Sequence, residues 1–227
     1  MLPDINRYFI CNVLHIYEEI IQISGVSALP LYNDDEFSIL KNKLSNLSIN
    51  LLHIFEQSKF QNILNIAQRD VLNSDKNSPY HRVFSFAIKS KHGIVKNKNY
   101  SNLDLNLPLC TYIYDDELIY DYFYQPYVYL NQTEHLFLRD LYLTIIEIMK
   151  LAQITNIAIP KIYTPRKRYE VKNNTLDITV MDQYKYYDYG IANQLNLRIF
   201  KVNGKLFLPC DPKQLISFRL LSNIDQK

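Results

Sequence analysis

Phe37, Leu40, Leu44, Leu47, Leu51 and Ile54 recur at alternating steps of three and four. That spacing lays all six on one narrow face of a long helix, the geometry of a seam against a second long helix. Asn33 offers a capping oxygen and Glu36, three residues on, the reciprocal partner of a capping box. A stripe this narrow needs cover, from the same chain or from a partner, and so points to a helical bundle.

Two further segments agree. Asp4 to Ser24 places Phe9, Val13, Ile16, Ile20 and Ile23 on one face, with Gly25 set to end the helix. Asn131 with Glu134 reads as another capping box, opening a helix striped by Leu138, Leu141, Ile145, Ile148 and Leu151. Between them the pattern is weaker. Lys59 to Asp75 is helical, Pro79 interrupts, and a short run from His81 to Lys89 follows. Ser90 to Leu107 is polar, lysine-rich and interrupted by Gly93, which predicts a loop. Seven tyrosines crowd between Tyr112 and Tyr129, broken by Pro126, and their spacing assigns no element.

Composition changes past the last stripe. Ile154 to Asn174 holds Pro160, Pro165 and the basic string Arg166-Lys167-Arg168, the character of a linker. Leu176-Asp-Ile-Thr-Val180 then alternates as a strand does. Asn203-Gly204 separates Leu197–Val202 from Lys205–Leu208, a strong hairpin signal, since both residues tolerate positive φ. Asp211, Pro212 and Gln214 suit an N-cap, a first helical position and a capping partner, which predicts a final helix carrying Leu215, Ile216 and Leu220. The expected fold is therefore mainly α. An N-terminal helical-bundle domain (1–153) leads through a linker (154–175) to a small C-terminal β-rich domain (176–227). No internal repeat is visible.

At 227 residues and 48% hydrophobic content, the chain can bury a sizeable core. No apolar run approaches the roughly 20 residues that span a bilayer, and the opening residues lack the basic-then-apolar order of a signal peptide. A soluble chain of cytosol or nucleus, with no membrane partner, is expected. Cys11, Cys110 and Cys210 are odd in number and far apart, which predicts reduced, buried thiols. A net charge of +2 does not mark the whole surface for nucleic acid.

Catalytic patterns are sparse. Cys11 and His15, four apart on a helix, could be two metal ligands, yet no second pair supplies the rest. Asp115, Asp116, Glu117 and Asp121 could hold a divalent cation as nucleases do, although nothing nearby fixes their geometry. The four isolated glycines build neither a P-loop nor a dinucleotide fingerprint, and Arg69 and His81 stand too far apart for a metal-free ribonuclease pair. Lys89, Lys91, Lys96 and Lys98, with Arg166 to Arg168, are the basic clusters on which a nucleic-acid-binding module would rest. The expectation is a protein without catalytic residues, metal or cofactor. A metal-dependent nuclease built on Asp115 to Asp121 and a nucleic-acid-binding module are the alternatives.

Two segments resemble the PSF-one subunit of the eukaryotic GINS replication complex. One is Leu29-Pro-Leu-Tyr-Asn-Asp-Asp-Glu-Phe-Ser-Ile-Leu-Lys-Asn-Lys-Leu44. The other comprises Leu176–Val180, Tyr189-Gly190, Leu206-Phe-Leu-Pro209 and Gln214-Leu-Ile216. The sister Sld-five subunit shares the domain order. The resemblance implies a non-catalytic, nuclear scaffold for DNA replication. It would be one of four subunits that join the MCM ring and the Cdc-forty-five protein into the active replicative helicase, touching DNA at most indirectly. It also implies that the helical stripes, Phe37 to Ile54 with Leu138, Leu141, Ile145 and Ile148, meet the other three subunits. Leu176, Ile178, Val180, Gly190, Leu206 to Pro209, Leu215 and Ile216 would belong to a domain that docks helicase and polymerase epsilon components.

Overall fold

The computed structural model describes residues 5–26, 29–30, 34–92, 103–114, 118–120, 122–160, 168–170, 176–181, 197–204, 206–210 and 216–221. Helices dominate the N-terminal part and β-sheet the C-terminal region, as the patterning predicts. The chain divides into two compact units. The first comprises Met1–Gln22, Ser38–Asn106 and Pro126–Ile162, the second Ile23–Phe37, Leu107–Gln125 and Tyr163–Lys227.

The first unit opens with α1 (Ile5–Phe9), a π-helical turn (Ile10–Leu14) and α2 (His15–Ser24). The widened turn is closed by the His15 N–H reaching back to the Ile10 carbonyl, and Asn50 donates to the Asn12 carbonyl at 2.8 Å. A side chain on α3 (Asp34–His53) thus supplies a donor to an irregular stretch of helical backbone. The predicted α3 stripe forms the core. Leu40, Leu44, Leu47, Leu51 and Ile54 are fully buried, as are Phe9, Val13, Tyr17 and Ile20 of the first helical segment.

α4 (Ile66–Ser74) starts at Asn65, whose side chain and that of Gln68 form the reciprocal capping box. α5 (Pro79–His92) is longer than the run expected from the sequence. Pro79 does not interrupt it but begins it, where a missing N–H costs nothing, and the Ser78 hydroxyl accepts from the His81 N–H at 3.0 Å. α6 (Phe137–Leu151) packs on α5, with Phe86 and Phe137 edge-to-face at 4.8 Å. Between these two helices Arg82 Nε and Nη2 donate to the two carboxylate oxygens of Asp140 at 2.6 and 2.7 Å.

The capping box expected at Asn131 is not one. Asn131 and Gln132, at φ 50° and 65°, are the two loop residues of a hairpin between β7 (Tyr127–Leu130) and β8 (Thr133–Leu136). Positive φ at both positions is the I′ requirement. α6 therefore starts six residues past Asn131, with Leu136 at its N-cap position and no side-chain cap. β3 (Asp104–Asn106), from the segment expected to be loop, pairs antiparallel with β7 to complete a three-stranded sheet.

The second unit is built from distant pieces of chain. Its seven-stranded sheet runs β1 (Gly25–Val26), β6 (Tyr122–Tyr124), β4 (Leu109–Tyr114), β11 (Leu197–Asn203) and β12 (Leu206–Cys210). β5 (Leu118–Tyr120) also pairs with β4, and β9 (Arg168–Glu170) with β5. β10 (Leu176–Met181) lies between β13 (Ile216–Leu221) and β2 (Leu29–Pro30) in a parallel three-stranded sheet.

Three expectations change. The tyrosine-rich stretch is β4 to β7, since aromatic and β-branched residues fit a pleated surface. Arg168–Glu170, read as linker, is a strand, and the β-rich unit takes Leu107–Gln125 from the middle of the chain instead of beginning at Leu176. The final helix is not formed over Ile216–Leu221, which pairs in parallel with β10 from Leu176↔Ile216 to Met181↔Leu221. The cap expected at Asp211 lies outside the described residues.

Candidate docking surface

The residues expected to meet partner subunits are already covered by this chain. Leu40, Leu44, Leu47, Leu51, Ile54, Leu141, Ile145 and Ile148 are fully buried and Leu138 is 1% exposed. A partner cannot reach them without opening the core, so the assignment of these stripes to a subunit interface is corrected to an internal one. The Phe37 side chain lies outside the described residues.

Exposed apolar surface lies instead on β12. Leu206, Phe207 and Leu208 are 64%, 55% and 49% exposed, and Pro209 beside them is exposed too. Successive strand residues point to opposite faces, so both faces of β12 are apolar and wet. The hairpin that carries it closes at the pair Asn203↔Leu206. Asn203 is therefore the last residue of β11 and the turn begins at Gly204, not at the Asn-Gly step as a whole. Gly204 takes φ +58°, and since a Cβ there would meet nothing within 4 Å, backbone conformation and not space calls for glycine.

Register also explains Pro209. In an antiparallel ladder hydrogen-bonded and non-bonded pairs alternate. Counting from the turn-closing pair, Phe200↔Pro209 falls among the non-bonded ones. The N–H that proline lacks would have pointed away from β11, which is where an outer strand tolerates it. β12 stands at the end of the strand order among the described residues. Proline on its outer side blunts backbone pairing by another strand and leaves side chains as the means of recognition.

Beneath the strand runs an aromatic row. Tyr112 stacks between Phe123 at 5.3 Å and Phe200 at 5.5 Å, with interplanar angles of 25° and 27°, while Phe207 meets it edge-on at 5.2 Å. Phe123 is 3% exposed, so the row passes from buried to wet across four strands. Both faces of the Tyr112 ring are occupied, which leaves no open π-face for a nucleobase there. The arrangement suits an apolar protein surface.

Of the other expected docking residues, Leu176, Ile178 and Val180 occupy β10 and Ile216 opens β13. Gly190 and Leu215 lie outside the described residues. So do Asp115, Asp116, Glu117 and Asp121, together with Lys96, Lys98, Arg166 and Lys167.

Lys89 is held by the Leu103 carbonyl and by Asp104 at 2.8 Å, and Lys91 Nζ lies 3.0 Å from His53 Nε2. These two lysines therefore have partners within the chain. Cys110 is buried as expected, but Cys11, expected to be buried, is exposed on the π-helical turn, and His15 is exposed at the start of α2. Among the described residues no three His, Cys, Asp or Glu side chains gather as metal ligands, and no helix is long and apolar enough to cross a membrane.

Sequence reasoning named Leu206 to Pro209 but missed the Tyr112 row. Tyr112 and Phe200 become neighbours only through the parallel β4–β11 register, which nothing local in either strand announces. No family profile, curated protein or solved structure matches this chain.

Proposed function

We propose that this chain is a non-catalytic scaffold subunit of a GINS-type heterotetramer, the PSF-one-like member. In that role it helps join the MCM ring and the Cdc-forty-five protein into the replicative helicase in the nucleus, with polymerase epsilon components as further partners. The observation that carries the reading is the exposed strand Leu206-Phe207-Leu208, backed by its aromatic row. An apolar strand wet on both faces costs solubility unless something covers it, and it lies in the segment that resembles the family's C-terminal domain. The resemblance of Leu29–Leu44 supports the same assignment.

The test is purification of the tagged chain from its native cell. Three further GINS-type subunits in equal amounts are expected. A Phe207→Asp chain should keep them while losing helicase and polymerase components. The identity of the co-purifying sister separates a PSF-one-like from an Sld-five-like place. A solitary chain, or cleavage of DNA or RNA by the pure protein with added Mg²⁺, overturns the proposal.

A further inference from the structure

Two buried hydroxyls, those of Tyr17 on α2 and Ser85 on α5, have no hydrogen-bond partner among the described residues. Each has left water without a replacement and so bears its full desolvation penalty. They differ in what relieves it. A serine inside a helix reaches the carbonyl four residues back by rotating χ1, and Ser48 and Thr144 already bond in this way, each at 2.8 Å. Ser85 needs nothing more than that turn. Tyr17 has no such remedy, because its oxygen stands at the far end of a rigid ring, out of reach of its own backbone.

Packing also denies Tyr17 the other escape, to solvent. The residue is 0% exposed, and Val13 and Ile20, about one turn before and one after, are equally covered. Swinging the ring outward would open that layer of the core. What bears on the phenol is a second phenol, that of Tyr142 on α6. Burial first, and then Tyr142, push the Tyr17 pKa well above its ordinary 10.0, so the group stays neutral and acts as a hydroxyl that donates and accepts. No charged side chain contributes to that shift, so an ion entering there would find no counter-charge. Tyr142 is half-buried. One end of the pair is therefore sealed in the core, and the other reaches toward the surface.

Two hydroxyls that sense each other without bonding are matched by one small group that accepts from the first and donates to the second. An apolar occupant would leave both unpaired. We propose that a single internal water bridges the Tyr17 and Tyr142 hydroxyls and joins α2 to α6. It enters past the half-buried Tyr142 and gives the Tyr17 hydroxyl the partner that the chain does not supply. The site lies inside the helical unit and is independent of β12 and of the scaffold reading.

A high-resolution crystal structure of the full chain tests this directly. Ordered solvent density is expected within hydrogen-bond distance of both Tyr17 Oη and Tyr142 Oη. A direct bond between the two hydroxyls, or a Tyr17 Oη that meets another protein group or carbon alone, overturns the proposal. Thermal unfolding tests it in solution. Tyr17→Phe should lower the midpoint by about 2–4 °C, because the water loses one of its partners. Tyr142→Phe should lower it as well, and the double variant should fall no further than the lower of the two single ones, since the bridge is already broken. A midpoint that Tyr17→Phe leaves unchanged or raises overturns the proposal, for the hydroxyl is then a cost with nothing bound to it. So does a double variant that falls by the sum of the two.

Discussion

Arg82 and Asp140 put two opposite charges where water does not reach, with side chains 8% and 4% exposed. Desolvation of both ions opposes the attraction, so the pair stabilises only as a unit. Geometry here is favourable, with the guanidinium bound to both carboxylate oxygens and its remaining arm donating to the Asn77 carbonyl at 2.6 Å. Removing one partner is another matter. Asp140→Ala should cost about 3–5 kcal/mol in urea unfolding, whereas Arg82→Met with Asp140→Leu should recover most of that loss. A loss under about 1 kcal/mol for the single change would mean that water reaches the pair. His135 on β8 feels the same site. Burial, reinforced by the Arg82 charge, holds its pKa below the ordinary 6.5, with Asp140 pulling weakly the other way. The folded protein therefore disfavours the imidazolium. Stability should be full above pH 6.5 and fall as the pH drops from there toward the depressed folded value. His135→Gln should flatten that dependence, and an unaltered slope in unfolding from pH 7.5 to 5 would count against His135 as its source.

At the scale of elements, the β7–β8 hairpin shows how a local signal can have two readings. Asn131 followed three residues later by Glu134 satisfies the capping-box pattern, but asparagine is equally at home in the left-handed region that a tight hairpin needs. The strands decide between them, because Tyr127–Leu130 and Thr133–Leu136 pair in register around a two-residue loop. Gln132, at φ 65°, is the misfit. A side chain there strains the backbone by about 1–2 kcal/mol. Gln132→Gly should raise the thermal midpoint, with a net gain of about 0.5–1 kcal/mol after the entropy that glycine restores to the unfolded chain. A lowered midpoint would show that the Gln132 side chain is worth more than the strain. The helical stripe of α3 and the β11–β12 hairpin were legible because their signals are local, a 3.6-residue period in one and a glycine turn in the other. Neither signal says who covers the stripe, so the same leucines fit a subunit interface and a private core equally well. β13 was misread for a related reason. Leu215, Ile216 and Leu220 fit a helix stripe, but alternate residues of Ile216–Leu221 also fit a strand, and parallel pairing with β10 over six positions settles it.

Over the whole molecule, the least legible feature is that the β-rich unit is assembled from three separate stretches of chain. Composition and proline placement at 154–175 suggest a boundary there, and a chain cut at that boundary should release a self-sufficient module. The pairing says otherwise. β11, next to last in the strand order of the seven-stranded sheet, has β12 on one side and β4, nearly 90 residues earlier in the sequence, on the other, with six residues in register from Leu197↔Leu109 to Val202↔Tyr114. β9 likewise pairs with β5. A fragment of residues 176–227 keeps the β11–β12 hairpin and the β10–β13 pair but loses β4, and with it Tyr112, the ring on which Phe200 and Phe207 pack. Two-stranded pieces are marginal in water on their own. The fragment should therefore show collapsed amide dispersion by NMR and no cooperative thermal transition. Joining residues 107–125 to it through a flexible linker should restore both, because that segment returns β4, β5 and β6 at high effective concentration. A well-dispersed spectrum from 176–227 alone would mean that the C-terminal stretch is a domain in its own right and that β4 is added to it only in the intact chain.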